Sequence, residues 1–214
     1  MTDIRTRTHG RGLFVTTLVA GLLLCANAAA DDAALYGPEA PPGSAFIRVL
    51  NATDTPELDV QVGGALFEDV RSWTVSAFDF VPAGSTPLAA GDTRSTLNLT
   101  SDRFYTAVVA PGGVQLFTNE RYRNRLKALL ILYNLTDADD LSARTADGQT
   151  AVVDAISRNN FGVREVNPAR THLALYAGDR RATDTPMLTL SRGKALSVFV
   201  VGPASAPRVV WSEN

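Results

Sequence analysis

The chain carries the same message twice. "AFIRVLNATDTPELDVQV" begins at Ala45 and "ALLILYNLTDADDLSART" begins at Ala128, so Asn51, Thr53 and Asp54 correspond to Asn134, Thr136 and Asp137. Further along, Pro82 corresponds to Pro168, "AAGD" at 89–92 to "YAGD" at 176–179, and the segment from Thr96 to the segment from Met187. The matches keep one order and their gaps fall in turns, the mark of a duplicated unit of about 85 residues. A unit of that size can bury a core of its own. The repeat therefore restricts the chain to two similar domains in tandem.

What each unit folds into follows from its punctuation. "AFIRVL" (45–50), "LDVQV" (58–62), "SAFDFV" (76–81), "STLNL" (95–99) and "FYTAVV" (104–109) are rich in β-branched and aromatic residues, with Gly, Pro, Asp or Thr clusters between them. That spacing predicts the short strands of a β-sandwich. "NERYRNRLKALL" (119–130) comes closest to a helical period, and its second half fits a strand better. The predicted fold is all-β: two tandem Ig-like β-sandwiches over 44–119 and 127–214, joined by a basic junction at 120–126. Asn and Asp side chains bond their own backbone, so the repeated N-x-T-D reads as a turn after an apolar strand. The sequons at Asn51, Asn98 and Asn134 match only a short pattern. A calcium loop starting at Asp137 would need Gly where Ser142 stands.

The first thirty residues read as a cleavable signal peptide: Arg5, Arg7 and Arg11, then the apolar run Leu13–Cys25, then Ala28-Ala29-Ala30. The run is shorter than a membrane span. Leu24 stands where a lipoprotein signal before Cys25 would place a small residue. Cleavage removes the only cysteine, so stability must come from core burial rather than from a disulfide. Residues 31–43, with three prolines and two glycines, read as an extended tether. A formal net charge of −2 argues against nucleic acid as a partner.

Chemistry-bearing patterns are sparse. Past the signal, His172 is the one histidine, and a serine-hydrolase triad would have to use it. Its neighbours Leu173 and Leu175 place it on the outer face of an alternating strand. No G-x-S-x-G elbow occurs. Gly91-Asp92-Thr93 approaches the GDS block of small ester hydrolases, but its repeat counterpart Gly178-Asp179-Arg180 marks both as hairpin turns. Zinc would need several carboxylates around His172. Asp79 and Glu165 could make a carboxylate pair for sugar hydrolysis, although nothing selects them. The sequence thus predicts no catalytic set, metal or cofactor. Arg121, Arg123, Arg125 and Lys127 alternate across the junction, and an extended segment would put them on one side. They read either as a contact for an anionic polysaccharide or acidic partner, or as a solvated linker. Trp73, Tyr122, Tyr176 and Trp211 would serve equally as a sugar platform or as core.

"ALYGPEAPPGSAFIRVLN" (34–51), "DRFYTAVVAPGG" (102–113), "NRLKALLILYNLT" (124–136), "VREVNPARTHLALYAGD" (163–179) and "LSRGKALSVFVVG" (190–202) resemble the AlgF family of alginate biosynthesis proteins. The resemblance spans essentially the whole mature chain. It implies a periplasmic accessory protein needed for O-acetylation of the exopolysaccharide alginate. The implied partners are a membrane-bound O-acyltransferase (AlgI) and the SGNH-type proteins AlgJ and AlgX, with alginate itself a further one. The resemblance supplies no catalytic residue to carry over. On this reading the chain is a non-catalytic adaptor, with contact residues Leu35 and Tyr36 in the tether and Arg121, Arg123, Arg125 and Lys127 in the junction. The alternatives are an acetyl carrier or acetylesterase using Ser44 or Thr93, or a polysaccharide-binding module with no acetyl role.

Overall fold

The computed structural model describes residues 40–213. The expected signal peptide with Cys25, and tether residues 31–39 with Leu35 and Tyr36, lie outside the described residues. The described residues form strands and no helix. The first half contains β1 (Ser44–Asn51), β2 (Glu57–Val62), β3 (Ala65–Arg71), β4 (Thr74–Val75), β5 (Asp79–Pro82), β6 (Gly84–Ala90), β7 (Thr93–Leu99), β8 (Phe104–Ala110) and β9 (Gly113–Asn119). The second contains β10 (Ala128–Thr136), β11 (Asp140–Thr145), β12 (Ala151–Ser157), β13 (Asn160–Val166) and β14 (Ala169–Thr171). It continues through β15 (Leu173–Ala177), β16 (Arg180–Asp184), β17 (Leu188–Leu190), β18 (Ala195–Gly202) and β19 (Arg208–Glu213).

Each half is a sandwich of two sheets, and the two halves share one plan. In the first, β3-β2-β6-β7 packs on β4-β1-β8-β9, with β5 also on β1. In the second, β12-β11-β15-β16 packs on β13-β10-β18-β19. The pairings β1 with β8 and β10 with β18 are both parallel. The short pair β14–β17 extends the β15–β16 hairpin past a break. His172 falls in that break rather than within a continuous strand. There Thr185 exchanges bonds with Leu173: its N–H donates to the Leu173 carbonyl, and its Oγ1 accepts from the Leu173 N–H, both at 2.9 Å.

Four strands of the first half, β3, β4, β6 and β9, escape the sequence pattern. β3, β6 and β9 are poor in β-branched residues, and β6 contains Pro87. That proline sits just past the end of the β2 ladder, where its missing N–H costs no strand pairing. The expected strand 76–81 starts late. Ser76 first bonds Val49 through both N–H and Oγ, and regular pairing resumes at Asp79.

The repeated N-x-T motif builds the same network in both halves. Asn51 Nδ2 donates to the carbonyls of Thr55 and Val70 at 3.1 and 2.9 Å, while its Oδ1 accepts from Thr53 N and Oγ1 at 3.1 and 2.7 Å. Asn134 Nδ2 donates to the carbonyls of Ala138 and Ile156 at 3.1 and 3.0 Å, and Oδ1 accepts from Thr136 N and Oγ1 at 3.1 and 2.7 Å. Both asparagines are 0 % exposed. Every hydrogen-bonding site of a buried amide is used, so the motif pins the end of the central strand to the next hairpin.

Three cores run through the described residues. One lies inside the first sandwich, around Ile47, Val49, Val60, Leu88 and Ala107. The second lies inside the second sandwich, around Leu130, Leu132, Leu141, Leu175 and Val198. The third joins Leu50, Val108 and Phe117 to Ile131, Tyr133, Phe199 and Val201, and so fills the seam between the halves. β1, β8, β10 and β18 therefore bury both faces, whereas β2 buries alternate residues only. Parallel strands covered on both sides read as unbroken apolar runs, which is how "ALLIL" and "SVFVV" stand in the sequence. Residues from Ala40 onward form one compact unit.

Candidate functional site

The seam opens to the surface beside residues 119–123. Residues 120–124 follow β9 without joining a sheet, and the chain bends at 125–127 before entering β10. Phe78, Phe104, Asn119, Arg121, Tyr122 and Ile131 are among the walls of a cavity of about 140 Å³ there. Phe46 and Phe104 stack with ring centroids 4.7 Å apart, and Phe78 meets Phe104 edge-on at 5.3 Å. The Arg121 guanidinium lies 5.6 and 5.4 Å from the Phe46 and Phe104 ring centres, an arrangement in which ring faces attract a cation.

The aromatic row continues inward to a buried charge. Arg48, 1 % exposed, lies 4.7 Å from the Phe78 centroid and 5.5 Å from that of Phe199. Its Nε donates to Thr106 Oγ1 at 3.0 Å, and its Nη2 donates across the seam to Ser197 Oγ at 2.7 Å. Burial, opposed by Tyr133, pulls its pKa down to about 10, so it remains charged at neutral pH. Tyr133 stacks on Phe199 at 4.4 Å and donates to Asn119 Oδ1 at 2.6 Å. The Tyr122 hydroxyl is buried and has no hydrogen-bond partner among the described residues. Burial first, then the Glu165 carboxylate, raises its pKa.

The four basic residues of the junction separate into two groups. Arg121 and Arg123 line an open polar depression with Thr100, Ser101, Asp102, Arg103 and Glu120. Arg103 donates to Glu120 at 2.6 Å, and Arg121 lies 3.6 Å from Asp102. Arg125 is exposed in the bend, and Lys127 turns to the second sandwich, where Nζ donates to Asn167 Oδ1 at 2.6 Å. The bend, with Leu126 71 % exposed, ends the alternation that an extended segment would have carried through Lys127. Phe46 and Phe104 reach this site as partners in the β1–β8 ladder, while Phe78 and Arg103 sit just before β5 and β8. No local pattern in the sequence links them, because the pairing of Phe46 with Phe104 is a matter of strand register.

Other residues singled out by pattern are scattered. Ser44 is buried in β1, and Thr93 is half-buried at the start of β7. Gly91-Asp92 and Gly178-Asp179 form the hairpin turns before β7 and β16. Asp79 is in the first sandwich and accepts from Phe80 N, whereas Glu165 is in the second and accepts from Asn124 Nδ2. The aspartates after Asn134 diverge: Asp137 accepts from Ala204 N, Asp139 pairs with Arg158, and Asp140 accepts from Gly178 N.

The molecule is thus a tandem β-sandwich protein whose halves are joined through a core, with an arginine–aromatic cleft where that core meets the surface. The family model described as "Alginate O-acetyl transferase AlgF" matches residues 19–197. The alginate biosynthesis protein AlgF of Pseudomonas putida is 39% identical over 198 residues, 91% of each chain. That of Pseudomonas aeruginosa is 40% identical over 185 residues, 86% of this chain and 85% of the relative. The solved C- and N-terminal domains of P. aeruginosa AlgF are each 35% identical to this chain, with TM-scores of 0.37 and 0.31. They cover 42% and 38% of this chain and 99% of each domain. The chain belongs to the AlgF family.

Proposed function

We propose that this chain is a non-catalytic adaptor for the O-acetylation of alginate, acting in the periplasm after loss of residues 1–30. Its partners on this reading are the membrane-bound acyltransferase AlgI and the acetyl-handling proteins AlgJ and AlgX. The observation that carries the proposal is the third core, which fixes the two sandwiches as one body. An adaptor needs its contact surfaces held at constant spacing, and a shared apolar seam supplies that where a bare linker would not. The depression at Arg103, Arg121 and Arg123 is the contact region the reading favours, because arginine forks match carboxylates on a protein or a polyuronate.

The test is the acetyl content of secreted polymer, measured by NMR in a producing strain lacking only this protein. Normal polymer yield without acetyl groups supports the accessory role, and unchanged acetylation removes it. Incubation with a chromogenic acetyl ester followed by intact-mass analysis addresses the enzyme alternative. Turnover, or a stable acetyl adduct at Ser44 or Thr93, would replace the adaptor reading with a carrier or esterase.

A further inference from the structure

The two halves meet in a reciprocal way. The parallel registers set Arg48 opposite Thr106 in the first half and Ile131 opposite Ser197 in the second. Arg48 and Ile131 are therefore equivalent positions, as are Thr106 and Ser197. Arg48 donates to both of these equivalent hydroxyls, one from each half.

The strands follow the same rule. Across the seam β4 lies against β19, and β1 reaches β18 through Arg48. At the other end β9 meets β13 through Phe117 and Phe161, with centroids 6.2 Å apart. By topology β10 is the counterpart of β1, β18 of β8, β19 of β9, and β13 of the β4–β5 edge. In these three contacts a strand thus faces the counterpart of a strand from its own sheet, in reversed order.

The turns repeat the pattern. Trp73 and Asn159 adopt φ of 60° and 59°, and each donates its N–H at 2.8 Å to the carbonyl of the repeated asparagine, Asn51 or Asn134. Trp73 lies under Arg208, next to the start of the last strand of the second half, at 4.7 Å. The Asn159 carbonyl accepts at 3.1 Å from Gln115 in the last strand of the first half. In a twofold interface, if i touches j then j touches i.

We propose that the seam is an isologous interface: each half carries a self-complementary face whose natural partner is a second copy of the same module, and this chain is such a pair fused end to end. The inference goes beyond the adaptor reading and does not depend on it. It also accounts for the buried arginine. Near a twofold centre, two equivalent hydroxyls approach each other, and one guanidinium from either half can satisfy both. Arg48 supplies that group, and the equivalent Ile131 faces the cavity that the shorter side chain leaves open.

The first test moves the charge within the intact chain. Arg48→Ile removes the donor that both hydroxyls accept from, and Ile131→Arg places two guanidinium groups in the seam, so each lowers Tm. The double variant Arg48→Ile/Ile131→Arg restores one guanidinium at the equivalent position, and its Tm is expected to exceed that of either single variant. A double-variant loss equal to the sum of the single losses overturns the proposal. The second test stands if those variants fail to fold. A protease site is inserted between Asn124 and Arg125, and the full chain is cut, unfolded and refolded. Native mass spectrometry is expected to show first–second pairs as the main species, with first–first and second–second pairs as minor ones, because a first–first pair holds two Arg48 guanidinium groups and a second–second pair holds none. Mixed pairs with no like pairs would overturn self-complementarity.

Discussion

Asn51 and Asn134 occupy the same place in the two halves and make the same set of four hydrogen bonds, with matching distances within 0.1 Å. Both amides are closed off from solvent, so oligosaccharide transfer to either sequon would require the fold to open. Asn134→Asp replaces an N–H₂ group that bonds two carbonyls with an oxygen that faces them. Each buried group left unpaired costs about 1–3 kcal/mol. Thermal unfolding should show Tm lowered by roughly 5 °C or more for a chain of this size. Asn51→Asp should behave alike, whereas exposed Asn98→Asp should change little.

The seam makes the halves unfold together. Trp73 and Trp211 lie in different halves. Denaturant transitions followed by tryptophan fluorescence and by far-UV circular dichroism are expected to coincide. Tyr133→Ala removes the central ring of the seam at a cost of about 3–5 kcal/mol. Tyr133→Phe keeps the ring and removes the hydroxyl that bonds Asn119, at about 1 kcal/mol for that bond. Two resolved transitions in the unaltered chain would contradict a shared core.

Burial raises the pKa of Tyr133 above 10.0, against the lowering pull of Arg48, Ser197, Asn119 and Thr106. The unfolded chain then loses this proton first, so the tyrosine's contribution to stability is complete below about pH 10 and declines above it. Arg48, held at about 10 and so well below the ordinary guanidinium value, acts in the opposite direction above pH 10. Comparing the unaltered protein with Tyr133→Phe isolates the tyrosine. Their stability difference, measured by urea unfolding, should stay constant from pH 7 to 9 and move in favour of Tyr133→Phe above pH 10.

Gly162 in β13 is needed for space rather than for an unusual backbone angle. A Cβ there would stand 2.9 Å from Val153 Cγ1 and 3.0 Å from Ile156 Cγ1. Gly162→Ala should cost about 1–3 kcal/mol through overpacking. Gly64→Ala, with open space at its Cβ, is the control and should leave urea unfolding nearly unchanged.

The junction arginines are exposed, and the Arg121–Asp102 pair is 3.6 Å long. Exposed pairs of this kind contribute about 0–1 kcal/mol. Arg121→Glu/Arg123→Glu/Arg125→Glu is therefore expected to keep Tm within a few degrees while weakening co-purification with the proposed acetylation partners. Full partner binding and acetylation by this variant would remove the junction as a contact region.

By itself the sequence determined the duplication, the all-β class, five of the nine strands of the first half and the role of N-x-T-D. Each of these rests on local periodicity or on side chains bonding their own backbone, and both are written in consecutive residues. The apolar runs at β1, β8, β10 and β18 also carried the trace of a second buried face. Only the tertiary structure decided what covers that face. Arg48 stands between Ile47 and Val49 with nothing nearby to explain it, because its partners Thr106, Phe78 and Ser197 come from other strands and, for Ser197, from the other half. The junction shows the same division. Alternation placed Arg121, Arg123, Arg125 and Lys127 on one side of an extended segment, but packing against the second sandwich bends the chain after Asn124 and leaves Arg121 and Arg123 with Arg103. Strand register and the approach of one sheet to another are set by the sum of many distant contacts, and no window of the sequence contains that sum.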